Sequence, residues 1–476
     1  MGQIAQDAVW SRGGTRFSLR MPGACAYNLA AMKTKMMLIA VILLSAVGCG
    51  KREVGGAKLV IISPHTEAIR IEFERAFGAW YAAHTQKAIQ VEWLDQGGTS
   101  DIVRFLKSEF GRSPSGVGVD VFFGGGTDPF VELAQRGLTQ PYRLPDALLS
   151  QIPQRLAGVP VYDTEFRWYG AALSGFGIIF NKKLATDLKL PRPQSWEDLT
   201  RPEAFNLVAS GDPRHSGTAH MMYEIILQAY GWDKGFETIV KLGANVRSFS
   251  RGSGDAPKAV SLGEALYGLA IDFYAFSQIA KDGEEHLGFV LPAGATVVNP
   301  DAICILKGAP NLEAAKLFLN FVLSEDGQKL WLLKPGAPGG PQQTALSRMA
   351  ILPPLYERYA GQITVPHNPA KMHTPLAYDS QKGSGRWAAL NDLLGAAIID
   401  THQELAKAWQ AVIKGGLKEP AVKALTAPPI TEDAFMALAR EKWSDAEVRN
   451  VQIAEWVKLF LERYGRVREM AGKPAA

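Results

Sequence analysis

Seven short runs of β-forming residues alternate with stretches of helical periodicity, and this alternation constrains the fold more than any other feature. Residues 68–80, between two such runs, and residues 312–323, after the last of them, carry apolar residues at helical spacing. Strands that alternate with helices favour an α/β architecture with largely parallel sheets. The runs are KLVII at 58, IQVEWL at 89, VDVFF at 119, GIIF at 177, NLVAS at 206, GLAID at 268 and AICIL at 302.

The strand signals stop after residues 334–343 (KPGAPGGPQQ), a Pro- and Gly-rich stretch. Helical patterns follow at about 386–414 and 431–470. The sequence therefore predicts a helical C-terminal extension that packs on the α/β body. With 476 residues, of which 47% are hydrophobic, the chain is long enough for two or three domain-sized units with a large core.

The N-terminal part is predicted to be a leader. Residues 36–47 form an apolar run that is too short to span a bilayer, two lysines precede it, and it ends in Ala-Val-Gly-Cys, which resembles a lipobox with Cys49 as the lipidated residue. Ordinary secretory cleavage nearby is the alternative. Residues 1–31 precede a complete signal peptide at 32–48 and are interpreted as an over-extended start, and residues 49–57 are interpreted as a tether.

Charge and cysteine content remove several function classes. Residues 1–48 hold five basic residues and one acidic residue, which together account for the whole formal charge of +4. The processed chain is then neutral, so no nucleic-acid partner is indicated. We expect Cys25 to be removed with the leader, Cys49 to be lipidated and Cys304 to be buried in an apolar strand. No intrachain disulfide is therefore expected.

Four Ser-, Thr- or Gly-rich junctions follow predicted strands and precede predicted helices. Unpaired N–H groups and the helix dipole make such junctions suitable for oxyanions, although simple helix capping is the alternative for each one. In the second junction, Asp128 is the predicted N-cap and Pro129 the first helical residue. The junctions are Ser63 to Glu67, Gly124-Gly125-Gly126-Thr127-Asp128, Ser216-Gly217-Thr218 and Ser248 to Ser253.

Several catalytic motifs are missing from the sequence. The three glycines are not followed by GK[ST] and do not have GxGxxG spacing, and neither HExxH nor GxSxG occurs. The eight histidines are scattered. Nucleotide, zinc-hydrolase and α/β-hydrolase chemistry are therefore not indicated, and we expect neither catalysis nor a cofactor nor a metal site.

The order of the motifs resembles the periplasmic solute-binding proteins of ABC importers, in the cluster that holds ferric-ion, phosphonate and hexose-phosphate binders. The motifs are SPHTE, VDVFFGGGTDPFVELAQRGLTQPY, GIIFNKKLATDLKLPRPQSWEDLTRPE, DPRHSGTA, GANVRSFSRGSGDAPKAV and PDAICILKGAPNLEAAKLFLNFVLSEDGQKL. The resemblance implies two α/β lobes that close on a solute about a hinge. It places lobe 1 mainly at 58–165, lobe 2 mainly at 166–290, a return to the hinge and lobe body at 291–333, and the extension at 334–476.

The resemblance also bears on the ligand. In its ferric members the metal is held by a His that matches His65, a Tyr that matches Tyr274, a carboxylate and a second phenol. In this sequence the carboxylate is missing, because Gly124 or Gly125 takes its place, and the second phenol is missing, because Phe273 takes its place. Fe(III) prefers anionic oxygen ligands, so the expected ligand is a small anionic organic solute such as a sugar phosphate or phosphonate. Ferric iron is the alternative, and an enzyme that uses His65 as a base is a second one.

The remaining expectations concern the partners and the site. The protein is expected to be a lipid-anchored monomer on the periplasmic or extracytoplasmic face that delivers its solute to a permease in the inner membrane. Trp168 and Tyr169 are candidates for stacking on the solute or for the core, and Glu67 and Asp272 are candidates for polar contacts. The predicted ligand-binding residues are Ser63, His65, Thr66, Gly124, Gly125, Gly126, Thr127, Asp128, Ser174, Ser216, Gly217, Thr218, Ser250, Ser253, Phe273, Tyr274 and Asp301.

Overall fold

A computed structural model describes residues 56–365, 367–372 and 376–472. In this part of the chain the strands lie close to the apolar runs of the sequence. They are β1 Ala57–Ile62, β2 Ile89–Leu94, β3 Val121–Phe123, β4 Thr139–Gln140, β5 Arg155–Leu156, β6 Val159–Pro160, β7 Tyr169–Asn181, β8 Val208–Gly211, β9 Val246–Ser250, β10 Tyr267–Ile271, β11 Leu287–Val290 and β12 Val298–Leu306.

Helices follow most of these strands, as the alternating pattern predicts. They are α1 Glu67–Thr85, α2 Thr99–Arg112, α3 Thr127–Gln135, α4 Asp146–Leu149, α5 Lys182–Asp187, α6 Gly217–Tyr230, α7 Trp232–Asn245, α8 Asp255–Ser261, α9 Asp272–Asp282, α10 Leu312–Leu323, α11 Glu325–Leu332, α12 Pro354–Arg358, α13 Ser380–Leu394, α14 His402–Lys414, α15 Glu419–Thr426, α16 Glu432–Glu441 and α17 Ala446–Gly472.

Ten strands form one sheet in the order β2-β1-β3-β12-β7-β10-β8-β9, with β4 beside β12 and β11 beside β7. The first half-sheet (β1, β2 and β3) and the second half-sheet (β8, β9 and β10) are each parallel. Between them, β12 and β7 pair antiparallel with each other and with their neighbours. The expectation of largely parallel sheets is therefore wrong at the centre, because an apolar run does not encode strand direction.

Two main hydrophobic cores cover this sheet. On the first half-sheet, Phe73, Phe123 and Phe318 pack edge to face. The core of the second half-sheet lies against α6 and α7 and continues into the C-terminal helices through Trp409 and Phe460. The predicted α/β fold with a helical C-terminal extension is confirmed.

The extension contacts both halves of the body. Arg386 in α13 forms an ion pair of 2.7 Å with Glu224 in α6, and both side chains are fully buried. Tyr378, just before α13, donates a hydrogen bond to Asp128 in α3. This contact corrects the prediction that Asp128 is an N-cap: α3 begins after Gly126, whose extended backbone forms the cap, and the Asp128 side chain is buried against the extension.

The leader, Cys49 and the tether up to residue 55 lie outside the described residues. Cys304 lies buried in β12, as predicted from its apolar surroundings. Among the described residues, we find no helix with the length and apolarity needed to cross a membrane.

Candidate functional site

A cleft of about 470 Å³ lies between the two half-sheets. Five helices of nine or more residues begin at its wall, namely α1, α2, α3, α6 and α9, and the first four begin at Ser-, Thr- or Gly-rich junctions. The N-caps of α1, α2 and α3 (Thr66, Gly98 and Gly126) make no side-chain capping hydrogen bond. Because the positive ends of these helix dipoles point toward this cleft, its backbone favours negative charge.

The glycines after β3 serve close packing as well as flexibility. Gly124 and Gly125 have φ angles of 105° and 107°, which side chains rarely tolerate. A Cβ atom on Gly124 would lie 2.6 Å from the His65 ring, and one on Gly125 would lie 2.7 Å from Thr99. The Gly125 N–H donates to Asp301 at 2.6 Å, so this N–H group serves the protein itself and not a ligand.

A hydrogen-bonded network lies in the floor of the cleft. His65 Nε2 donates to Asp301 Oδ2 at 2.7 Å, and Arg348 Nη1 donates to the same oxygen. Burial lowers the pKa of His65 below its ordinary value, which favours a neutral imidazole. Burial alone would raise the pKa of Asp301, but Arg348 and His65 hold it at about 2. The floor therefore contains one carboxylate and one guanidinium, with no net charge.

The apolar part of the wall comes from Phe176, Met221, Phe273 and Tyr274. The Phe273 and Tyr274 rings lie 4.2 Å apart, and burial raises the pKa of the Tyr274 phenol. The wall can therefore cover the carbon body of an organic solute while a polar end faces the helix N-termini.

Two of the aromatic candidates pack in the core and not against the cleft. Trp168 belongs to the core cluster around Phe122. Tyr169 lies in β7 and donates its hydroxyl to the Tyr142 carbonyl at 2.7 Å. For both, the structure agrees with the core interpretation.

The structure brings about half of the predicted binding residues to the cleft surface. The others do not line the cleft, and three of them support residues nearby: the Ser63 Oγ accepts the His65 N–H, Ser216 caps α6 and bonds to Ser253, and Ser250 bonds to Gly252. The residues that line the cleft are His65, Thr66, Gly125, Gly126, Gly217, Thr218, Ser253, Phe273, Tyr274 and Asp301, and those that do not line it are Ser63, Gly124, Thr127, Asp128, Ser174, Ser216 and Ser250.

The two candidates for polar contacts are placed differently. Glu67 lies on the cleft wall at the start of α1. Asp272 is buried behind the wall, where it accepts the backbone N–H groups of Gly175 and Phe273 at 2.7 Å each. Burial raises the pKa of Asp272 to about 7, so its carboxyl takes up protons far more readily than an exposed one.

Sequence reasoning missed the start of α2, Arg70 and Arg348, and it included Arg251 in the fourth junction without naming it as a binding residue. The stretch QGGTSD at 96–101 follows β2 and has the same Gly- and Thr-rich character as the other junctions, so its signal was present. Arg70 lines the cleft and pairs with Asp95 at 3.0 Å. Arg251 also lines the cleft and has no carboxylate within 4.0 Å among the described residues. Arg348 lies outside every strand-to-helix junction, and its sequence context carries no signal.

The beginning of α2 contacts the beginning of α6 across the edge of the cleft. Ser100 donates to the Pro213 carbonyl at 3.0 Å, and His215 Nδ1 lies 3.1 Å from Asp101. Arg251 lies 3.3 Å from the same His215 nitrogen. Polar contacts therefore bridge the two halves at the edge of the cleft.

Comparison with known proteins agrees with this picture. Residues 118–348 match the family described as "Bacterial extracellular solute-binding protein". An uncharacterized protein of Haemophilus influenzae is 31% identical over 215 residues, which cover 44% of this chain and 60% of that protein. The phosphoglycerate transport regulatory protein PgtC of Salmonella typhimurium is 28% identical over 196 residues, covering 39% of this chain and 48% of that protein. The chain thus spans about half to three fifths of these curated relatives.

Solved structures show the same fold. The periplasmic binding protein AfuA from Actinobacillus pleuropneumoniae, with fructose-6-phosphate bound, aligns with a TM-score of 0.54 at 22% identity, over 75% of this chain and 98% of that chain. Iron-bound HitA from Pseudomonas aeruginosa aligns with a TM-score of 0.54 at 20% identity, over 71% and 99%.

The chain therefore has the fold of the periplasmic binding proteins. The match over residues 118–348 to the bacterial extracellular solute-binding family and this shared fold confirm the resemblance seen in the sequence.

Proposed function

We propose that this protein is the extracytoplasmic solute-binding component of an ABC importer, and that it captures a small anionic organic solute that carries a phosphate or phosphonate group. Solute-driven closure of the two lobes, and not a reaction, is then its function. The proposal includes the lobe boundaries given above, lipid attachment at Cys49, a monomeric state and delivery to a permease in the inner membrane.

The observation that carries this proposal is the convergence of four Ser-, Thr- or Gly-rich helix N-termini on one cleft. Oxyanions bind at such ends through backbone N–H groups. Arg70 and Arg251 add cationic side chains to the same wall. A volume of about 470 Å³ lies in the range of pockets for small organic ligands.

Direct ferric-iron binding fits the side chains less well. His65 Nε2 already donates to Asp301. That carboxylate is also paired with Arg348. Among the residues that the structure describes, no group of three or more His, Cys, Asp or Glu residues is placed to hold a metal ion.

A thermal-shift panel tests the proposal. The purified protein is compared with glucose 6-phosphate, other sugar phosphates, aminoethylphosphonate, ferric citrate and neutral sugars. A ligand at ~100 times its dissociation constant stabilises a folded protein by about 2.7 kcal/mol, which is easily seen. Stabilisation by phosphorylated or phosphonated compounds alone is the expected result. If ferric citrate alone stabilises the protein, iron is the solute, and an equal effect of neutral sugars contradicts the anion site.

A further inference from the structure

Arg348 is a buried cation whose position is fixed by the fold. It lies between α11 and α12, and its side chain lines the cleft although only 4% of it is exposed. Its backbone N–H donates to the Trp331 carbonyl at 3.0 Å, and the next residue, Met349, pairs with Leu173 in β7. The guanidinium carbon lies 3.6 Å from the centre of the Phe273 ring. Main chain and aromatic ring therefore hold this charge in one place.

The partner of this cation is Asp301. One Asp301 oxygen accepts bonds from Arg348 and His65, and the other accepts the Gly125 N–H. The Tyr274 phenol belongs to the same cleft wall. Without the guanidinium, these groups would be a buried carboxylate, a neutral imidazole and a phenol, which are the kinds of donors that bind metal cations. The carboxylate among them would repel an anion.

The charges of the other side chains in the cleft make Arg348 important for anion binding. Four carboxylates line the cleft, those of Glu67, Asp95, Asp101 and Asp301, against the three guanidinium groups of Arg70, Arg251 and Arg348. The side chains alone therefore do not make the cleft positive. Removal of Arg348 would leave the Asp301 carboxylate uncompensated at a buried position of the wall, where solvent screening is weak.

Unused hydrogen-bonding groups lie in the same floor. Within the described part of the chain, Arg348 Nε and His65 Nδ1 are buried and have no hydrogen-bond partner. Buried polar groups of this kind are costly unless a partner is supplied. The oxygen atoms of a phosphate or phosphonate group would be suitable acceptors for the guanidinium.

We propose that Arg348 is a resident cation that determines the specificity of this cleft. It cancels the charge of Asp301 and binds the oxyanion of the solute by donating hydrogen bonds from its N–H groups. It also prevents His65, Asp301 and Tyr274 from coordinating metal cations. This inference rests on the proposed function for the anionic nature of the solute, whereas the exclusion of metal is independent of it.

The test compares the full chain with three variants, Arg348→Lys, Arg348→Gln and the double variant Asp301→Asn/Arg348→Gln, by thermal shift and calorimetric titration. The probes are glucose 6-phosphate, aminoethylphosphonate, inorganic phosphate, ferric citrate and citrate alone. Arg348→Gln should weaken binding of the stabilising anion by about tenfold or more and gain stabilisation by ferric citrate. Arg348→Lys should keep most of the anion affinity and gain no ferric effect.

The double variant separates charge from folding, because it exchanges the ion pair for a neutral pair of similar shape. It should lose anion affinity and gain no ferric binding, since the carboxylate is gone. If Arg348→Gln or the folded double variant binds the anion within twofold of the original protein, the inference is wrong. If no anion stabilises the original protein, the proposed function fails, and the ferric-citrate comparison alone then decides whether Arg348 excludes metal.

Discussion

Gly217→Ala should weaken solute binding without destabilising the free protein. Gly217 is the first residue of α6, and its backbone lies outside the left-handed region, so alanine fits the helix itself. An added Cβ atom would lie 2.7 Å from Thr99 Cβ in α2, whereas ordinary contacts begin at 3.4 Å. The two helix ends must therefore separate by at least 0.7 Å, the difference between these distances.

The size of the effect follows from the cost of overpacking. A well-packed contact that must accept an extra methyl group costs ~1–3 kcal/mol, which corresponds to affinity weaker by ~5-fold to ~150-fold. In the solute-free protein the two ends can move apart, so the free energy of unfolding should change by no more than ~0.5 kcal/mol. The loss should therefore appear in binding and not in stability.

Calorimetric titration with the panel compound that most stabilises the original protein measures the first quantity, and urea unfolding without solute measures the second. Gly465→Ala in α17 is the matched control, because a Cβ atom there meets nothing within 4 Å; it should leave the affinity unchanged. If Gly217→Ala binds as tightly as the original protein, the contact between α2 and α6 does not belong to the solute-bound state, and the reasoning is refuted.

Three further predictions concern stability. Glu224→Gln removes the buried carboxylate partner of Arg386, which then keeps only the part-exposed Glu432 at 2.8 Å, and should cost ~1.5–3 kcal/mol in urea unfolding. Replacing both Glu224 and Arg386 by leucine should cost less, and equal losses would contradict this account. Because burial raises the folded pKa of Asp272 from 3.8 to about 7, its contribution to stability is full below pH 3.8 and is lost as pH rises toward 7. Asp272→Asn should remove this pH dependence in unfolding curves measured from pH 4 to pH 8. An unchanged profile in the variant would mean that other groups cause the pH dependence. Gly124→Ala should lower the free energy of unfolding by ~2–4 kcal/mol, because backbone strain adds to the clash with the His65 ring. Gly137→Ala is the control, since Gly137 has a positive φ but an added Cβ atom would meet nothing within 4 Å; it should cost only ~1–2 kcal/mol. Similar losses in the two variants would show that the His65 ring moves and relieves the clash.

The sequence by itself determined the features that depend on neighbouring residues. Alternating apolar runs predicted the α/β body, and the loss of strand signals after residue 343 predicted the helical extension. Ser-, Thr- and Gly-rich starts located three of the five long helices that begin at the cleft. These signals are local, because periodicity and capping act over a few residues.

Only the tertiary structure decided the direction of the central strands and the charges in the floor of the cleft. β7 and β12 run antiparallel because of their long-range pairing, and their apolar residues would suit either direction. Asp128 faces Tyr378, which lies 250 residues away along the chain, and is therefore not the N-cap that local chemistry predicted. Arg348 meets Asp301 across 47 residues, since the bridge between Leu173 and Met349 carries it there. Contacts between distant parts of the chain leave no periodic pattern in the sequence, and they set the charge of this cleft.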